Sequence, residues 1–161
     1  MLHKAAIAAL VVGGLLLAWQ SLPAMAPTVD VPIAELRAEA ARGAVPHLSR
    51  PLPDWLPLPA RGRVTAAGDY KPQPPYGAAI SITLVIGETP EEFAAAYSAL
   101  LSEIGYRVRR VAPPFDFTFA TDGALDAYDP SSGRYVFLVL RHNGANRFAQ
   151  VTFWEPPAPR L

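Results

Sequence analysis

Apolar and polar positions along this chain fall into two periods, one helical and one extended. Between Thr89 and Val111 (TPEEFAAAYSALLSEIGYRVRRV), Phe93, Ala96, Tyr97, Leu100, Leu101 and Ile104 recur at i, i+3, i+4, i+7, i+8 and i+11. That is one apolar stripe at helical period, and it predicts a helix with Leu100 and Leu101 against a sheet and Glu103 toward solvent. Thr89 is placed to cap its first turn, with Glu92 three residues on as a capping box requires. Pro90 takes the first helical position, where its missing N–H is harmless. Gly105 supplies a left-handed stop, after which Tyr106-Arg-Val-Arg alternates as a strand does.

Extended periodicity surrounds that helix. Ile80, Ile82, Leu84 and Ile86 alternate with Ser81 and Thr83, which predicts a half-buried strand over 79–86. Arg61 to Ala66 reads as a weak strand, and Tyr70 to Gly77 as a loop because of its prolines. Beyond Pro113-Pro114, Phe115, Phe117 and Phe119 alternate with Asp116 and Thr118, and Asp122-Gly123 reads as a turn. A short strand over Leu125 to Tyr128 follows, then a loop at Asp129 to Gly133. Tyr135 to Arg141 (YVFLVLR) is apolar on both faces and predicts a central strand. Asn143-Gly144 tips the next hairpin, and Phe148 to Trp154 pairs back. A helix running back along a strand makes the strands at 79–86 and 106–111 parallel, either adjacent or with another strand between them. The expected fold is therefore α+β: a two-layer sandwich with a mostly antiparallel sheet of about five strands and one βαβ crossover helix on one face. A ferredoxin-like arrangement would need a second crossover helix after residue 112, and the pattern contains none.

The first residues change the picture. Ala5 to Trp19 is an unbroken apolar run behind His3 and Lys4, and Ala24-Met25-Ala26 follows as a small-residue processing site. This predicts export by a signal peptide at 1–26. Pro27 stands just past the cut, where its tertiary amide disfavours hydrolysis. If the segment stays attached, Lys4 to Leu22 reaches about 28 Å as a helix and serves as an N-terminal membrane anchor. The product is then periplasmic, either soluble or tethered to the inner membrane by residues 4–22. Residues 27–60 read as a Pro-rich linker or strap with a short helix over 32–42, residues 61–156 as the α+β domain, and 157–161 as a tail. Within the strap, Trp55, Leu56 and Leu58 are the expected anchors on the domain.

The run LPLPARGRV followed by ITLVIGETPEEFAAAYSALLSEIGYRV resembles small exported bacterial α+β domains with a Pro-flanked leading strand and a strand–helix–strand core. The resemblance covers about residues 55–111. Its matching residues are a cap, a stripe and a stop, so it implies a fold and a compartment and carries over no catalytic residue.

Charge and residue chemistry then narrow the function. Fourteen basic and fourteen acidic residues give a net charge of zero, which supplies no long-range attraction to nucleic acid. The chain has no Cys, so disulfides, thiolate metal sites and thiol catalysis are excluded. His47 and His142 each stand alone, without metal-ligand spacing to another His or Glu. Asp116, Asp122, Asp126 and Asp129 are the densest acidic group, but their spacing lacks the alternate oxygens and closing Glu of a calcium loop. Turn chemistry accounts for Asp122 and Asp129, and the solvent face of a strand for Asp126. No nucleophile elbow or phosphate loop is present.

The expectation is thus a non-enzymatic cell-envelope protein, without catalytic residues, metal or cofactor, that binds a partner protein or an anionic envelope component. Its membrane contact would be the uncleaved N-terminus. Arg107, Arg109, Arg141 and Arg147 are the candidate anion or partner-binding residues, if strand order brings them together. The alternative is a small-molecule or lipid binder with an apolar cleft between helix and sheet, lined by Tyr97, Tyr106, Phe115, Phe117 and Phe119.

Overall fold

The period-two runs form a single antiparallel sheet, seen in a computed structural model that describes residues 29–72, 77–112 and 120–156. The N-terminal apolar run, Asp116, Phe115, Phe117 and Phe119 lie outside those residues. In chain order the elements are β1 (Val31–Pro32), a 3-10 turn (Ile33–Glu35), α1 (Leu36–Ala41), β2 (Arg63–Tyr70), β3 (Ala79–Ile86) and α2 (Pro90–Glu103). They continue with β4 (Arg107–Val111), β5 (Ala120–Tyr128), β6 (Tyr135–Asn143) and β7 (Asn146–Trp154).

Helix α2 starts as its sequence requires. The Thr89 hydroxyl accepts from the Glu92 amide at 3.2 Å, and the Glu92 carboxylate accepts from the Thr89 amide at 2.9 Å. Two of the unpaired donors of the first turn are satisfied reciprocally. Gly105 adopts φ 96°, and the Tyr106 amide returns to the Leu101 carbonyl at 2.9 Å. The chain is thereby turned into β4.

The sheet order is β1-β2-β3-β7-β6-β5-β4, with every neighbouring pair antiparallel. Seven strands replace the five expected. The extra area comes from β1 and from strands longer than their apolar runs: β2 reaches Tyr70, and β5 starts at Ala120 instead of Leu125. The expected turn at Asp122-Gly123 is a register shift inside β5, where glycine marks an irregularity and not a reversal. β3 and β4 do run parallel, because four antiparallel steps separate them, and three strands lie between them. The tight loops at Asp129–Gly133 and Asn143-Gly144 close β5, β6 and β7 into a meander, which fills that gap and pairs β7 with β3. The helix expected over 32–42 splits into the 3-10 turn and six-residue α1, so its first turn is tighter than the sequence reading.

Ile80, Ile82, Leu84 and Ile86 of β3, Val136, Leu138 and Leu140 of β6, and Ala149, Val151 and Phe153 of β7 share one buried cluster with Phe93, Tyr97 and Leu101 of α2. Ile33, Leu36, Val45, Leu52 and Leu56 belong to that same cluster. Residues 29–58 are therefore built into the core, with Trp55 and Leu58 packed half-buried against it. The opposite face carries a smaller cluster of Ala124, Phe137 and Val139. Polar residues extend that face: Gln150 Nε2 donates to Ser81 Oγ at 3.3 Å, and Ser81 and Thr152 hydroxyls lie 3.2 Å apart. Among the described residues no helix is long and apolar enough to cross a membrane.

Candidate functional site

The apolar stripe of α2 is wider than the face that its own sheet buries. Phe93, Tyr97 and Leu101 are nearly inaccessible, but Leu100 is only half-buried and Ile104 is 49% exposed. The expected burial of Leu100 against the sheet is thus corrected in degree: it packs half-buried against the core from the flank of the helix, one position round from Leu101. That flank faces a groove of about 540 Å³ whose other wall is the segment Asp54–Leu58. Tyr106, Asp129 and Arg134 close its end, below the β5–β6 turn.

Three side chains fix the strap wall. Arg37 of α1 donates from Nη1 to the Pro53 carbonyl at 2.6 Å, and from Nη2 to the carbonyls of Asp54 and Leu56 at 3.1 and 2.8 Å. A Pro-rich segment has few amides to donate, so its carbonyls need partners from elsewhere, and a guanidinium offers five donors on one planar head. Tyr97, 2% exposed, donates its hydroxyl to the Pro57 carbonyl at 2.8 Å. Its burial pushes the phenol well above the ordinary tyrosine value. Arg134 lies over the Trp55 ring, 4.5 Å from the centroid, as cation–π attraction favours.

The floor at the β5–β6 turn is equally fixed. Ser131 donates its hydroxyl and its amide to the Asp129 carboxylate at 2.7 and 2.8 Å, Ser132 Oγ donates to the other oxygen, and Gly133 takes φ 73°. The hydroxyls of Ser132 and Ser131 and the Ser131 amide hold the Asp129 carboxyl down at about 2. Burial and the neighbouring Asp129 raise the Tyr106 phenol, with Arg134 opposing.

The structure does not bring the four arginines together. Arg107 registers with Tyr128 and, through it, with Tyr135. Arg141 lies six residues further along β6, about 20 Å at the rise of a strand. Arg109 is held by Asp126, with Nε at 2.6 and 2.7 Å and Nη2 at 2.6 Å from the carboxylate oxygens. Asp126 is accordingly buried, 5% exposed, and not on a solvent face. Arg141 is buried inside β6 on the face of Phe137 and Val139. Arg147 alternates with Ala149, Val151 and Phe153, so it points to the other face, where its Nη1 donates to the Glu88 carbonyl at 3.2 Å.

Of the alternative cleft, Tyr106 lines the groove and Tyr97 is interior, while the three phenylalanines lie outside the described residues. His142 Nδ1 meets Asp122 Oδ1 at 2.7 Å, and Asp122 thus serves a pair and not a turn. His47 takes a left-handed φ of 64° and gives its carbonyl to the Asp69 amide. A second hollow, about 20 Å³ between the His47 loop and β2, β3 and β7, has room for about one water. Among the described residues no three His, Asp or Glu side chains gather as a metal site.

Arg37 is the site residue that sequence reasoning missed. The one available signal was the carbonyl-rich, amide-poor strap, which demands a donor without saying which. Comparisons with family models, with curated proteins and with solved structures find no match to this chain.

Proposed function

We propose that this chain is an exported, non-enzymatic protein of the cell envelope whose α+β domain binds a partner protein in the groove between α2 and the strap. The observation that carries the reading is the unabsorbed flank of the helix. Leu100 and Ile104 belong to the apolar stripe, yet they stand in an open groove opposite Trp55 and Leu58. A lone exposed apolar residue is ordinary, but exposed Ile104 beside half-buried Leu100, Trp55 and Leu58 along one groove with fixed walls offers an interface its apolar centre. The interior between helix and sheet is filled by Phe93, Tyr97 and Leu101, which argues for a surface ligand over an enclosed one. Export is supported by the N-terminal apolar run and its Ala-Met-Ala end.

A photo-crosslinking residue at Ile104, in intact cells, tests the groove. A single discrete protein adduct is expected there, absent when the same residue replaces exposed Glu103 and lost when Trp55→Ala removes the opposite wall. Lipid or small-molecule adducts at Ile104, or equal labelling at both positions, would overturn the reading. Fusing residues 1–30 to a reporter active only outside the cytoplasm tests export, with retention inside as the contrary result.

A further inference from the structure

Among the described residues β4 is the outermost strand of the sheet, paired only with β5. Its hydrogen-bonding phase follows from the neighbouring turn. The Asp129 amide donates to the Arg134 carbonyl at 2.9 Å, so odd-numbered residues at this end of β5 address β6. Ala124, Asp126 and Tyr128 then address β4, and their register partners Val111, Arg109 and Arg107 are the bonded positions. The N–H and C=O groups of Val108 and Arg110 point outward, with no hydrogen bond of their own among the described residues. Such a row is a template for one more strand.

The flanking side chains select which strand that is. Arg109 is spent on Asp126. Arg107 and Arg110 are exposed and have no carboxylate partner among the described residues. Being three residues apart, they stand on opposite faces of β4. Opposite charges across a strand pair attract, and like charges repel. Two copies of this edge therefore repel each other, whereas an acidic strand is drawn to it.

We propose that β4 accepts an extended acidic segment of a partner protein as an eighth strand. That segment would bond to the outward main chain of Val108 and Arg110, with a carboxylate on each face meeting Arg107 and Arg110. The inference shares with the preceding section only the premise of a protein partner. It concerns a different surface, so strand addition at β4 and crosslinking at Ile104 can fail separately.

The test uses the full chain and two capped synthetic heptapeptides, Thr-Glu-Val-Thr-Glu-Val-Thr, whose two Glu stand three apart and so on opposite faces of a strand, and its counterpart with Gln for every Glu, followed by amide NMR. The acidic peptide is expected to slow exchange at Val108 and Arg110 while leaving the already bonded Arg107 and Arg109 amides unchanged. Affinity should fall about tenfold for the Gln peptide and for the Arg107→Gln/Arg110→Gln double variant, and should weaken as salt is raised. Both substituted residues are exposed, and an unchanged melting temperature verifies the fold of the variant. No protection at Val108 and Arg110 at millimolar acidic peptide, or equal binding of the two peptides by the native chain, would overturn the proposal. So would shifts confined to Trp55, Leu100 and Ile104.

Discussion

The two edges of the sheet meet the same hazard in opposite ways. On the β2 side the N-terminal segment closes the edge with its own backbone. The Val29 amide donates to the Thr65 carbonyl at 3.1 Å, the Ile33 amide to Gly62 at 3.0 Å, and the Asp69 amide to the His47 carbonyl at 3.1 Å. Arg63 pairs with Asp30 at 2.7 Å across the same seam. Closure of this kind needs a long segment anchored by buried Ile33, Leu36, Val45, Leu52 and Leu56. On the β4 side three arginines in five residues guard an open edge. A covered edge is closed to every partner; a charged edge is closed only to partners of its own sign.

If the β2 side is held by core contacts, its anchors should be the most sensitive positions. Leu36 is fully buried, so Leu36→Ala is expected to cost about 2–5 kcal/mol in urea unfolding, as much as Leu101→Ala in α2. A loss near that of a surface substitution would mean that the strap merely rests on the domain. Next in size is Arg37→Ala. It removes three bonds to strap carbonyls and should cost about 1–3 kcal/mol, with raised proteolysis between residues 50 and 58 as the local readout. An unchanged cleavage rate would show the strap held by Tyr97 and Trp55 alone.

Asp129→Asn sharpens the β5–β6 end. The Asp129 carboxyl is depressed from 3.8 to about 2, so its stabilising effect is complete above the unfolded value and is lost as pH falls from 3.8 toward 2. The variant should melt lower than the native chain at neutral pH, and the difference should shrink through that acid window. A constant difference across it would assign the loss to shape and not to charge. Smallest of all is Arg110→Ala, expected within about 0.5 kcal/mol in the same urea titration, because the side chain is exposed and has no ion pair among the described residues. A larger loss would make this arginine part of the fold instead of its guard.

Much of this was legible in the sequence, for identifiable reasons. The capping box, the Gly105 stop and the alternation of β3 are local signals, and each is present in the structure where the sequence put it; of the stripe, Phe93, Tyr97 and Leu101 are buried, whereas Ala96 and Ile104 are exposed. The parallel sense of β3 and β4 followed from helix length alone. Strand order did not, because it depends on β7 returning to β3 across most of the chain. The order found keeps Arg107 and Arg109 apart from Arg141 and Arg147. Arg109 and Asp126 were both read as solvent-facing, and no local pattern reveals that they oppose each other across β4 and β5. The groove was half legible: Leu100 and Ile104 were assigned to the stripe, but a stripe does not say how much of its width the sheet will use.

Native-state amide hydrogen exchange, with both edge strands followed in one sample, tests the asymmetry most directly. The account predicts that Asp69 on the β2 edge, and Val29 and Ile33 that cover it, exchange about a hundredfold or more slowly than Val108 and Arg110 on the β4 edge, with Arg107 and Arg109 protected between them. Protection of Val108 and Arg110 equal to that of Asp69 would mean that the β4 edge is already occupied, and would contradict it.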